Sequence, residues 1–251
     1  MSKVLVQVDG PVRTVTLNRP EKRNALDDEV LKGLIEAFPK EPGREERVAV
    51  LRANGPAFCS GMDLNQRKET LGKPTSIEDT LRAVETYPLP VVAIVHGHAI
   101  AGGNELALHC DFVVASSAAN FGMSLAQIGL APTWFLAKKL MEVAGPVATR
   151  EILLLGDPLP ATRMYELGII ARVARPEALE TEAMAIVDRL AANAPLSLKI
   201  MKETLVRQMA FRELTPYDDI NERVSKVGAS ADAREGITAR LERREAQFKG
   251  E

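Results

Sequence analysis

Fifty-two consecutive residues, Thr86 to Ala137, carry only two charged side chains, Glu105 and Asp111. In a chain that is 26% Asp, Glu, Lys and Arg, about 13 or 14 would stand there if charge were spread evenly. A neutral run of this length belongs either in a bilayer or in the middle of a large core. The bilayer is excluded by what interrupts the run. Pro88, Pro90, His96, His98, Gly102, Gly103 and Pro132 break it, and Ser116, Ser117, Asn120 and Gln127 would need partners in lipid. The opening Met1-Ser2-Lys3-Val4-Leu5-Val6 also lacks the apolar run of a signal peptide. The expectation is a soluble protein with a buried centre, and Glu105 lies within it.

At 251 residues the chain is long enough to bury a substantial core as one large domain. Its 32 basic and 34 acidic side chains leave a net charge of −2, which provides neither a nucleic-acid footprint nor an acidic tail. Two cysteines, Cys59 and Cys110, and three histidines have no zinc-site or disulfide-framework spacing. A reduced, cytoplasmic setting with no metal and no membrane or nucleic-acid partner is therefore expected.

The order of apolar runs implies an α/β fold. Val4–Val8 and Val12–Leu17, separated by Asp9-Gly10-Pro11, read as a hairpin. Leu26, Val30, Leu31, Leu34 and Ile35 recur at helical spacing up to Pro39. Val48–Leu51, Val91–Val95 and Phe112–Ala115 read as further strands with helical segments between them. Beyond Pro132 helix dominates, broken at Gly156-Asp157-Pro158 and by a strand at Ile169–Val173; Glu177–Ala192, Leu196–Met209 and Ala231–Phe248 are amphipathic. The polar stretch Asn65–Ser76, with Gly72 and Pro74, reads as a loop.

Three segments invite a chemical reading. Gly55 to Leu64 directly follows a strand that ends in small residues and a glycine, which lets backbone amides point outward, although an ordinary strand-to-helix turn with Asp63 as cap reads the same way. In His96 to Leu106, Gly102-Gly103 opens a helix whose first N–H groups form a partial positive pole, with Glu105 in its first turn as a catalyst or a capping carboxylate. His96 reads as a hydrogen-bonded core residue. Asn120 to Pro132 contains nothing that titrates and reads as pocket wall.

In this order, with Leu17-Asn18-Arg19-Pro20-Glu21-Lys22-Arg23-Asn24-Ala25-Leu26 before them and Gly168–Val173 after, the segments resemble the crotonase, or enoyl-CoA hydratase/isomerase, superfamily. The resemblance implies a spiral of ββα units over residues 1–192 and a helical region over 193–251 that builds homotrimers or hexamers. It implies an acyl-CoA thioester as substrate, coenzyme A being its only cofactor-like part. The amides of Ser60 and Gly102 would form an oxyanion hole and Glu105 would be the acid/base, with Gly61, Met62, Asp63 and Gly103 beside them. Lys22, Arg23 and Ala25 would line the CoA site. Arg243, in the last helix, would reach a neighbouring subunit's CoA, while Arg240 stands where an aromatic is usual.

The resemblance breaks at the position of the hydratases' second glutamate, which is Leu125 here. A leucine moves no proton, so the two-carboxylate machinery for adding water is incomplete. Ala131 to Leu136 replaces a glycine-rich run, which changes the acyl pocket near Trp134. The expectation is hydration or double-bond isomerisation of an enoyl-CoA with one carboxylate. Decarboxylase or thioesterase chemistry, or acyl-CoA binding with little turnover, are the alternatives.

Overall fold

The computed structural model describes residues 2–71, 75–210 and 218–250. The strands, in chain order, are β1 (Val4–Asp9), β2 (Val12–Leu17), β3 (Val48–Ala53), β4 (Val91–Val95), β5 (Ala99–Ile100), β6 (Phe112–Ser116), β7 (Asn120–Gly122), β8 (Leu159–Pro160) and β9 (Arg172–Ala174). The helices are α1 (Asp28–Ala37), α2 (Leu64–Glu69), α3 (Ile77–Glu85), α4 (Gly102–Leu108), α5 (Trp134–Arg150), α6 (Ala161–Glu166), α7 (Leu179–Ala191), α8 (Pro195–Met209), α9 (Asp218–Ala229) and α10 (Ala231–Glu242).

The main sheet has the order β1-β2-β3-β4-β6-β9; only the β1-β2 hairpin is antiparallel. Its central strands are apolar at nearly every position because both of their faces are covered. Ala49, Leu51, Val91, Ala93, Val95, Val113 and Ala115 face one core with α1, α3 and α4. Val48, Val50, Val92, Ile94 and Val114 face the other, closed by Leu179, Ala183, Val187 and Leu190 at helical spacing on α7. A smaller sheet, β5-β7-β8, stands beside the first and carries the segments flanking α4.

Local chemistry explains the element ends. Asp27 caps α1 by accepting from the Val30 amide, and Thr133 caps α5 the same way from Leu136. α5 breaks at Gly145-Pro146, where Gly145 has φ 65° and ψ 176°. Lys202 of α8 is buried and donates to Asp111 Oδ2 at 2.7 Å and to Leu89 O at 3.1 Å, tying the helical region to the sheet.

Several expectations need revision. The strand expected at Ile169–Val173 lies at Arg172–Ala174, because Ile169 and Ile170 turn inward to the core before pairing begins. The loop expected over Asn65–Ser76 begins as α2, whose cap is Asp63; residues 72–74 lie outside the described residues. α10 stops at Glu242 rather than running to Phe248, since Arg243 adopts a left-handed conformation (φ 58°, ψ 41°). Among the described residues no helix is long and apolar enough to cross a membrane, and no three metal-ligating side chains cluster.

Candidate active site

β3 and β4 deliver two loops side by side. The first, Phe58 to Asp63, runs past Leu26, and the second, Gly97 to Gly102, leads into α4. Cys59 and Ala99 form a parallel bridge between them, with the Cys59 amide on His98 O (3.1 Å) and the Ile100 amide on Cys59 O (2.9 Å). The fit is too close for side chains at two points. A Cβ on Gly61 (φ 89°) would lie 2.9 Å from Ile100 O, and one on Gly103 would lie 2.3 Å from Cys59 O. Ala101 itself holds φ 49° and ψ −117°, a strained conformation for a residue with a side chain, while its amide donates to Gly122 O at 2.7 Å.

The loop's amides alternate in their use. Leu26 donates to Gly61 O (2.8 Å) and Asp63 donates back to Leu26 O (2.9 Å), which turns the intervening Met62 amide to the opposite side. The Ser60 amide, expected to face a substrate carbonyl, donates instead to Arg23 O at 3.1 Å. The amides left available at this junction are therefore those of Met62 and Gly102, and the Ser60 amide is not among them. Among the described residues neither amide has a protein acceptor, and both residues border one cavity of about 190 Å³. Gly102 opens α4, so its N–H is one that the helix leaves unpaired.

That cavity is also bordered by Ser60, Ile77, Met123, Ser124, Leu125, Ile128, Thr133 and Leu136, by Val224 and Gly228 of α9, and by Arg67 and Arg240. Leu125 is thus part of its wall. Trp134 is not; its backbone N–H donates to Asn221 Oδ1, and its neighbours Thr133 and Leu136 face the space instead. A second cavity of about 580 Å³, bordered by Arg23, Pro56, Ala57, His98, Asn120 and Pro158, shares Ser60 and Ile100 with the first. Arg23 is the residue of its segment that borders this space. Lys22 is exposed, its carbonyl accepting from Ser60 Oγ, and Ala25 is buried with its carbonyl on Arg19. Asp63 caps α2 and pairs with Arg19 at 2.9 Å, a structural role. Arg243 is exposed at the end of α10 and borders neither cavity.

Glu105 is wholly buried, and neither carboxylate oxygen has a hydrogen-bond partner. Burial pushes its carboxyl up to about 8, with Lys139 pulling the other way. Its side chain does not border the 190 Å³ cavity, whose edge is formed by Gly102 one helical turn earlier. Behind it, His109 Nδ1 lies 2.7 Å from Glu105 O and 3.9 Å from Glu105 Oε2, and the imidazole stacks on Phe135. Burial holds that imidazole down at about 3, so it is neutral near pH 7. Beyond it Lys139 bridges Glu85 and Glu142, and Lys138 lies 3.4 Å from Glu142.

From sequence, Met62 stands beside the oxyanion hole but not in it, Ser124 only within a wall segment and Arg240 only as a departure from the usual aromatic, while Arg67 and His109 are not singled out. Met62's part depends on a bridge to Leu26, a pairing between distant segments that no local pattern reveals. Arg240 enters because α10 packs on α2 and on the turn Ala126–Ile128, which places a residue of the last helix over the site of its own chain.

A family model described as enoyl-CoA hydratase/isomerase matches residues 8–251. The whole chain is 33% identical to 1,2-epoxyphenylacetyl-CoA isomerase of Escherichia coli K12, covering 99% of that protein. It is 28% identical to the short-chain-enoyl-CoA hydratase of Clostridium acetobutylicum, over 97% of this chain and 96% of the other. The structure of methylmalonyl-CoA decarboxylase complexed with 2S-carboxypropyl-CoA superposes with a TM-score of 0.89 at 26% identity, covering all of this chain and 99% of that one. The expected crotonase-type α/β fold is thus the one observed. With a match from the first strand to the last residue and relatives aligned end to end, the chain belongs to the enoyl-CoA hydratase/isomerase family.

Proposed function

We propose that this enzyme shifts the double bond of an enoyl-CoA, with Met62 and Gly102 amides on the thioester oxygen and Glu105 as the only carboxyl that moves a proton. The observation that carries this reading is the pair of unpartnered amides bordering a mostly apolar cavity whose wall at Leu125 has no acid. Relatives named for an isomerase, a hydratase and a decarboxylase of CoA thioesters support the substrate class. CoA would lie along the Arg23 cavity, and the thioester at the Ser60-Ile100 junction common to both spaces.

In this scheme ionised Glu105 removes a proton from C2 of a 3-enoyl-CoA. The electron pair delocalises to the thioester oxygen, where two preorganised N–H donors hold the charge, each worth about 3–4 kcal/mol in comparable sites. The same carboxyl returns the proton to C4, giving the 2-enoyl-CoA. One carboxyl suffices because the proton is only relocated; adding water would require a second group to orient it. The scheme requires the Glu105 side chain to swing from its buried position toward the cavity as the acyl group enters. Burial suits Glu105 to this work, since a carboxyl near 8 both accepts and releases protons close to neutrality.

Assays of 3-enoyl-CoA isomerisation and 2-enoyl-CoA hydration with the wild type, Glu105→Gln and Leu125→Glu test the scheme. Isomerisation should exceed hydration in the wild type and fall at least ~100-fold in Glu105→Gln. Leu125→Glu should raise hydration. Unchanged isomerisation in Glu105→Gln removes Glu105 from the chemistry, and tight thioester binding without turnover would favour a binding protein.

A further inference from the structure

The 190 Å³ cavity beside Met62 and Gly102 has a neighbour. A further space of about 480 Å³ is bordered by Ala126, Gly129, Leu130, Val227, Asp232 and Phe248, and Leu130 borders both. Helix α9 also serves the two, with Val224 and Gly228 on the first and Val227 on the second. The backbone at this boundary is fixed. A Cβ on Gly129 (φ 68°) would lie 2.6 Å from Asp232 O, one on Gly236 would lie 2.5 Å from Ile128 C, and the Leu130 amide donates to Leu125 O at 2.9 Å. The part of the boundary left to move is the half-buried Leu130 side chain.

The polar side chains of the outer space are already engaged. Ser230 Oγ caps α10 by accepting from the Ala233 amide at 3.0 Å, and the two carboxylate oxygens of Asp232 accept from the Lys249 and Gly250 amides at 2.7 Å each. Glu235, paired with Arg244, accepts from the Gln247 amide at 2.9 Å. The amides on either side of Phe248 are thus pinned to α10, and this holds the ring at the edge of the space. Among the described residues, the side chains left to meet a ligand there are carbon: Leu130, Val227 and Phe248, the last two 41% and 46% exposed to water. Such a surface gains from hydrocarbon and offers nothing to a polar group. We propose that the acyl chain runs past Leu130 into this outer space, so that the substrate is a medium-chain acyl-CoA and the pinned tail at Phe248 forms its distal subsite. This rests on reading the 190 Å³ cavity as an acyl-CoA site.

Isothermal titration with non-reacting saturated thioesters, butyryl-, hexanoyl-, octanoyl- and decanoyl-CoA, tests it. Burying one methylene tightens binding by up to about fourfold, so decanoyl-CoA should bind the wild type at least about tenfold tighter than hexanoyl-CoA. Phe248→Asp, which sets a carboxylate on the outer space, should reduce that ratio to below about threefold, and Phe248→Leu should keep most of it. Leu130→Trp, which narrows the boundary, should reduce the ratio as Phe248→Asp does. The wild-type series stands whether or not the variants fold, and Phe248 lies in the exposed tail beyond α10. No gain beyond hexanoyl-CoA in the wild type overturns the proposal and leaves the acyl-CoA reading intact. A gain that survives both Phe248→Asp and Leu130→Trp sends the chain elsewhere and also overturns it. If none of the four thioesters binds, the acyl-CoA reading falls and takes this proposal with it.

Discussion

Glu105 has both carboxylate oxygens buried without a hydrogen-bond partner, and this makes it a stability liability whose size depends on pH. The folded chain keeps its proton up to about pH 8, while the unfolded carboxyl loses it near 4.5. Between those values the folded state binds more protons than the unfolded one. The contribution of this residue is therefore full below about 4.5 and is lost as pH rises to 8. Glu105→Gln removes the titration, so the stability of the variant relative to wild type should climb from pH 5 to pH 8. Urea unfolding of both proteins at pH 5, 6.5 and 8 measures it; a constant difference would refute the buried-acid assignment. His109 titrates in the opposite sense, because burial lowers it to about 3, and it cancels in this comparison.

At the scale of elements, the loop before α2 and the start of α4 are held together by backbone. The two adjacent glycines of α4 should therefore respond differently to the same change. In Gly103→Ala the new Cβ would stand 2.3 Å from Cys59 O, a rigid atom, and the expected cost is about 3 kcal/mol. In Gly102→Ala its close approaches are to the ends of the Ile77 and Leu26 side chains, at 2.9 and 3.1 Å, with Gly61 Cα at an ordinary 3.6 Å, and the cost should stay under about 1 kcal/mol. Thermal or urea denaturation of the two variants gives the contrast, and equal costs would mean that the loops slide apart more readily than their bridge implies.

For the molecule as a whole, Lys202 joins the helical region to the sheet through Asp111 and Leu89 O. Asp111 also accepts from the Val91 amide, so the one acid other than Glu105 in the neutral run ends up anchoring α8. Lys202→Met should cost about 3 kcal/mol, at the low end for a broken buried pair because Asp111 is 26% exposed. A denaturation midpoint unchanged from wild type would show that α8 is held by something else. The neutral run already marked this centre, since only a doubly covered sheet needs so many uncharged residues in sequence, and β4, β6 and α4 fall within it. The hairpin was legible from its two runs and the Asp9-Gly10-Pro11 turn between them, and α1 and α7 from apolar residues at helical spacing. What the site does with its amides was not legible. Whether Ser60 or Met62 faces the cavity is decided by Leu26 passing on one side of the loop, and the presence of Arg240 is decided by where α10 lies down.

The bridge between Cys59 and Ala99 bears on heredity as well as geometry. The two amides that face the cavity belong to main chain, fixed by glycines and by carbonyls that no codon can replace. Leu125, Ser124 and Arg240, by contrast, are side chains on its rim, each open to exchange in a single step. A lineage that keeps the glycines keeps a place for negative charge to develop, and can then change what is done with that charge by altering the rim alone.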